Sequence, residues 1–167
     1  MRDVIALVGM RGAGKTTVGR LLATRLGWAF ADADADAEQR MGRSIADVFA
    51  DGGEPRFREV EAEVTRELLA RARIVVATGG GCVERAATRK LLHDVFTVWL
   101  VAPPGVLANR CAGTGRPSLT GLSPQVETSQ VLARREPWYA ECAAFTVSTA
   151  DLAMDDVVEA ILQAGSL

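Results

Sequence analysis

Two short stretches hold side chains whose types and spacing can do chemistry. The first is GMRGAGKT, residues 9–16, which fits the pattern GxxxxGK[ST]. Gly9, Gly12 and Gly14, with Ala13 among them, let backbone N–H groups turn inward around phosphate oxygens. Lys15 offers a point charge to β- and γ-phosphates, and the Thr16 hydroxyl, followed by Thr17, is of the kind that holds Mg²⁺. The second stretch is FADADADAEQR, residues 30–40, with Asp32, Asp34 and Asp36 at alternate positions. Such a run is either a metal or acid/base site at a strand end or a solvated acidic turn. The third predicted strand ends in ATGGG and lacks the Walker B carboxylate, so DADAD is the obvious source of a magnesium-side carboxylate. Neither NKxD nor DxxG occurs in the form that a GTPase switch needs.

Regular elements must bring these stretches together. VIALV (4–8) is a short apolar run of buried-strand type, and KTTVGRLLATRLG (15–27) reads as a helix with Gly27 at its C-terminal cap. WAF (28–30) is a weak second strand. A helix follows from ADAEQRMG, then a short one capped by Ser44, then a long amphipathic helix over 54–72 with Pro55 in its first turn. Further strands are predicted at 74–78, 96–102 and 145–149, with helices between them and a terminal helix. Apolar strands alternating with helices imply a three-layer α/β fold, a five-stranded parallel sheet covered on both faces. Asp32 and Asp34, two apart at a strand end, are expected to lean the same way, toward the phosphates. The Gly-, Ser- and Pro-rich stretch 112–124 is expected to be a lid loop over a site.

Bulk properties narrow the classes. A chain of 167 residues fits one domain, 1–167. A net charge of −2 gives no broad basic field for nucleic acid or an anionic membrane. Cys82, Cys111 and Cys142 show no CxxC spacing, which argues against a disulfide framework or a zinc site. The first apolar run is too short for a signal peptide or membrane span, so the expected location is cytoplasmic. Nothing suggests a stable protein partner, and a monomer is expected.

Taken in order, GMRGAGKTT, DADADAE, GRSIADVF, GGEPRFREVE, ATGGG, GRPSL and RREPWY resemble shikimate kinases, small P-loop kinases of the nucleoside-monophosphate-kinase architecture. The resemblance runs from the first strand to about residue 142. It implies transfer of the ATP γ-phosphate, with Mg²⁺, to the 3-hydroxyl of shikimate, a step of chorismate and aromatic amino acid biosynthesis. It further implies that Asp32 holds a magnesium-bound water and that Asp34 orients or deprotonates the 3-hydroxyl. Arg58 and Arg135 grip the carboxylate, with Glu61 holding Arg58, while Gly79, Gly80 and Gly81 line the pocket. Phe49 and Phe57 pack on the ring, Arg116 in the lid reaches the transferring phosphoryl group, and Arg110 lies over the adenine. By the same token, Asp36 has no family role and suits a first-turn acid facing the helix dipole. Arg135 is preferred to Arg134 because it precedes EPWY. One departure stands out. Where many members carry an Arg/Asn-Pro segment after the fifth strand, this chain reads STADLAMDD. A gluconate kinase of the same architecture and a nucleotide-binding module without turnover are the alternatives.

Overall fold

A computed structural model describes residues 3–113, 118 and 120–167. Five parallel strands, β1 (Val4–Val8), β2 (Ala29–Asp32), β3 (Ile74–Ala77), β4 (Phe96–Val101) and β5 (Phe145–Ser148), form one sheet in the order β2-β3-β1-β4-β5. β1 and β3 are buried at every residue, as strands covered on both faces must be. The intervening helices are α1 (Lys15–Leu26), α2 (Ala33–Met41), α3 (Ile45–Ala50), α4 (Glu54–Leu69), α5 (Ala86–His93), α6 (Pro104–Cys111), α7 (Pro124–Cys142) and α8 (Met154–Gly165). α1 packs on α8 and β3, while α4, α5 and α7 form a second packed group. Leu7, Leu22, Leu68, Leu92, Leu100 and Ile161 are among the largest fully buried side chains between these layers.

The order β2-β3-β1-β4 reverses direction at β1, and ligands of such sheets bind beyond the carboxyl ends of the strands, at that reversal. Both chemical stretches lie there. The P-loop follows β1 directly, and Asp32 ends β2 in register with Ala77 of β3.

Several boundaries differ from expectation; β3, β4 and β5 each end one residue early, and two other differences are more telling. β2 begins one residue later and runs to Asp32, because its ladder with β3 extends over an acidic residue of poor strand propensity. α4 stops at Leu69, three residues early. Arg73 adopts a left-handed φ of 52°, and its carbonyl accepts from the Ala29 N–H while the Ile74 N–H donates to Asp3. Sheet pairing thus claims the backbone groups that a longer helix would need. Ser44 caps α3 as its sequence implies, accepting from the Asp47 N–H at 3.1 Å.

Candidate active site

The P-loop has the shape its glycines permit. Gly9 has φ 144°, and a Cβ there would lie 2.6 Å from the Leu100 carbonyl oxygen, so no larger residue fits. Gly14 precedes α1 at φ 94°. Ala13 is buried, with its N–H donating to the Met10 carbonyl at 3.1 Å. Lys15 folds over the loop and donates from Nζ to the carbonyls of Gly9 (2.7 Å) and Met10 (2.9 Å). A cleft of about 490 Å³ opens above, lined by Arg11, Gly12, Gly14, Lys15, Thr16, Thr17, Asp32, Asp34 and Arg110 among others.

Asp32 and Asp34 both reach this cleft, though not through the alternation of a strand. Asp32 ends β2 and caps α2, and one carboxylate oxygen accepts from the N–H groups of Asp34 (3.1 Å) and Ala35 (3.3 Å). Asp34 is already in the first turn of α2, so the cap sets its direction. The other oxygen of Asp32 accepts from the Thr16 hydroxyl at 2.7 Å. Threonine hydroxyl, carboxylate and phosphate oxygens are the hard donors that Mg²⁺ takes, usually with one or two carboxylates and several waters. Among the described residues no group of three or more His, Cys, Asp or Glu gathers at one point. Asp36 stays in the first turn of α2 beside Arg40.

A second cluster lies beside Asp34. Arg58 on α4 donates to Glu61 at 2.9 Å and to Glu54 at 3.2 Å. Its guanidinium rests over Phe57 (5.4 Å) and Phe49 (5.9 Å), which meet edge to face at 5.4 Å. Glu61 is 3% exposed, and among the described residues its Oε1 has no hydrogen-bond partner. Burial raises its pKa, against the pull of Arg58. For Arg58, burial alone would lower the pKa, yet Glu61 and Glu54 raise it on balance. The charge run at 58–61 is therefore divided: Glu59 faces solvent, whereas Arg58 and Glu61 point inward.

Gly79, Gly80 and Gly81 run beneath these side chains. A Cβ on Gly79 would lie 2.1 Å from Glu61 Oε1 and 2.7 Å from Asp34 Oδ1, and one on Gly81 would lie 2.2 Å from the Arg58 guanidinium. Arg135 approaches from α7. It is 3% exposed, donates from Nε to Glu84 at 2.8 Å, and a Cβ on Gly80 would lie 3.6 Å from it. Arg134 meets the same Glu84 at 2.9 Å but is more than half exposed, whereas Arg135 is buried. The Glu84 carboxylate would be raised by its burial, but the Arg135 hydrogen bond and charge hold it below its ordinary value.

Arg110 lines the nucleotide cleft. It donates to the Gly12 carbonyl (3.2 Å) and to the Thr149 hydroxyl (3.0 Å) and carbonyl (2.7 Å). Arg116 lies outside the described residues. Of the expected lid, Ser118 and Thr120 are held by Glu127, a buried carboxylate that also accepts from Arg11 of the P-loop at 3.1 Å. Sequence reasoning missed Arg11, Glu84, Glu127, Tyr139 and Thr149. Tyr139 lies one helical turn after Arg135 and shares its face, a spacing that could have found it. Thr149, just past the end of β5, donates its hydroxyl to a P-loop carbonyl, Ala13 O, at 2.8 Å. Glu84 and Glu127 sit in irregular or helix-start context with no pattern to mark them.

The family model described as shikimate kinase matches residues 11–165. The chain belongs to the shikimate kinase family. A shikimate kinase of Symbiobacterium thermophilum is 44% identical over 163 residues, covering 95% of this chain and 94% of that protein. One from Nitratidesulfovibrio vulgaris is 47% identical over 148 residues, covering 86% and 85%. Among solved structures, the shikimate kinase from Acinetobacter baumannii in complex with shikimate superposes with a TM-score of 0.92 at 38% identity, covering 98% of this chain and 92% of that one. A gluconokinase from Sinorhizobium meliloti shares the fold, with a TM-score of 0.63 at 21% identity. Membership of the shikimate kinase family makes this an ATP-dependent phosphotransferase.

Proposed function

We infer that this chain phosphorylates the 3-hydroxyl of shikimate from ATP, giving shikimate 3-phosphate and ADP. The observation that carries the reading is one arrangement at the carboxyl end of the sheet. A phosphate-binding loop and a carboxylate, Asp34, share one cleft, and two arginines over a glycine turn stand next to it. Such a site takes an acceptor with a hydroxyl for Asp34 and a carboxylate for Arg58 and Arg135, whose planar forks match carboxylate oxygens.

Each group then has a task. The P-loop N–H groups and Lys15 hold the phosphates, and Lys15 exchanges its two carbonyl partners for phosphate oxygens when nucleotide arrives. Asp34 accepts the hydrogen bond of the attacking hydroxyl and orients it toward the γ-phosphorus. Thr16 and Asp32 are the residues that would hold Mg²⁺, which neutralises charge on the transferring group. Arg110 steadies the adenine end of the cleft, and Arg116 supplies lid charge. Phe49 and Phe57 give Arg58 an apolar floor and fix its direction. We further assign the chain to the cytoplasm as a monomeric one-domain enzyme. Among the described residues no helix is long and apolar enough to cross a membrane.

The test is ADP release with Mg-ATP and, in turn, shikimate, gluconate, CMP or no acceptor. Release that depends on shikimate alone supports the assignment. Release with gluconate, or ATP binding without acceptor-dependent release, overturns it.

A further inference from the structure

The glycine turn has an uneven hydrogen-bond pattern. All three carbonyls are taken within the protein. Gly79 accepts from the Cys82 N–H at 3.2 Å, Gly81 from the Glu84 N–H at 3.0 Å, and Gly80 from the Tyr139 hydroxyl at 2.5 Å. None of the three N–H groups donates to a protein acceptor among the described residues, although Gly79 and Gly81 are buried. Buried donors without acceptors are rare in folded proteins and point to a ligand that supplies the acceptors. The turn is therefore one-sided, with its acceptors facing the protein and its donors left for something else.

Tyr139 makes it so at the central peptide. A trans peptide is planar and its C=O and N–H point in opposite directions. Holding the Gly80 carbonyl on the Tyr139 hydroxyl therefore turns the Gly81 N–H the other way. The Arg58 guanidinium lies against the same residue, 2.2 Å from where a Cβ on Gly81 would stand. Tyr139 is well placed to hold a direction. It is fully buried, stacks on Trp99 of β4 at 5.8 Å with planes 27° apart, and approaches Arg135 within the same helix. Burial pushes its pKa up, so the hydroxyl keeps its proton and remains a donor at any working pH.

We propose that Tyr139 is a positioning residue of the carboxylate site, whose hydroxyl fixes the Gly80–Gly81 peptide so that the Gly81 N–H joins Arg58 and Arg135 in binding the substrate carboxylate. The proposal rests on the assignment of that site under Proposed function. It adds a role for a second side chain on the α7 face that carries Arg135. Phenylalanine would keep the stack and lose the aim of the peptide.

Steady-state kinetics of Tyr139→Phe test it, with Arg135→Lys alongside. Loss of one oriented donor corresponds to about a tenfold rise in KM for shikimate, with smaller changes in kcat and in KM for ATP. An unchanged KM for shikimate, or equal rises in both KM values, overturns the role of Tyr139. If Arg135→Lys also leaves the shikimate KM unchanged, the site assignment itself has failed. If only Arg135→Lys raises it, the site stands and the tyrosine does not position it. Should Tyr139→Phe fail to fold, 3-fluorotyrosine offers a second measurement, because the sequence has one tyrosine. Its single ¹⁹F resonance is expected to shift on adding shikimate and not on adding ADP alone. A resonance unmoved by shikimate, or moved equally by ADP, counts against the proposal.

Discussion

Replacing Gly79 by alanine adds one methyl group at the point where two carboxylates meet. The backbone tolerates it, since φ at Gly79 is not in the left-handed region. Space does not. The new Cβ would stand 2.1 Å from Glu61 Oε1 and 2.7 Å from Asp34 Oδ1, and both gaps must open toward about 3.5 Å for ordinary contact. Glu61 cannot simply swing away, because it is buried and holds Arg58 at 2.9 Å. Asp34 must then move as well, by about 0.8 Å, to open its own 2.7 Å gap to ordinary contact. A shift of about 1 Å in a group that orients a nucleophile costs roughly 100-fold in rate, which is about 2.7 kcal/mol of transition-state stabilisation. Coupled ADP-release kinetics with Mg-ATP and shikimate should therefore show kcat/KM falling by about that factor, with kcat carrying most of it. Gly80→Ala is the control for stability. Its nearest neighbours would be at 3.5 and 3.6 Å, so its thermal unfolding midpoint should stay within about 2 °C of wild type. If Gly79→Ala kept kcat within twofold of wild type, the placement of Asp34 against this glycine would be wrong as an account of catalysis.

Arg58→Ala should raise KM for shikimate more than it lowers kcat. It should also destabilise the fold by about 3 kcal/mol, since Glu61 would be left buried without its partner; urea unfolding and a KM measured on the same preparation check both. Lys15→Met should abolish turnover while the thermal midpoint holds, and near-normal activity would contradict the phosphate role. Asp32→Ala removes the α2 cap, a loss of about 1 kcal/mol, and should raise the Mg²⁺ concentration needed for half-maximal rate. A magnesium titration showing no shift would leave Asp32 with the cap alone. Burial pushes the Cys82 thiol up to about 12 from an ordinary 9.0. Because the folded thiol holds its proton more tightly than the unfolded one, this contribution is intact below about pH 9 and is lost as pH rises toward 12. Denaturant midpoints should thus fall above pH 9, less steeply in Cys82→Ala, and Cys82 should resist thiol reagents at pH 8 in the native protein.

Much of this was legible from residue patterns alone. Continuous apolar runs marked the strands because burial on both faces leaves no choice of residue type, and Pro55, Ser44 and Gly27 marked helix ends through local backbone chemistry. The P-loop is equally local: its function depends on neighbours in sequence. Less was visible where partners are distant in the chain. Nothing around Glu84 announces that it will meet Arg135, 51 residues later, and Glu127 meets Arg11 across 116 residues. The structure does bring Asp32 and Asp34 to one cleft, but for another reason than the one expected. A strand was expected to aim both, whereas the first aspartate caps the helix that carries the second. Propensity and periodicity describe single elements, and the contacts made between elements decided the rest.

Both arginines proposed to grip the carboxylate already have anionic company. Arg58 has Glu54 and Glu61, and Arg135 has Glu84. The two arginines are already outnumbered by these three carboxylates before any ligand arrives, and the whole chain carries a formal charge of −2. An approaching anion therefore feels little attraction at distances beyond about 10 Å, the screening length at moderate salt. On the proposed assignment, recognition begins at contact, where the guanidinium forks and the glycine N–H groups set direction, and discrimination resides in how slowly a fitting acid leaves. Bimolecular capture of substrate should then vary weakly with ionic strength, and the enzyme can tell one small anion from another without gathering every anion in its surroundings.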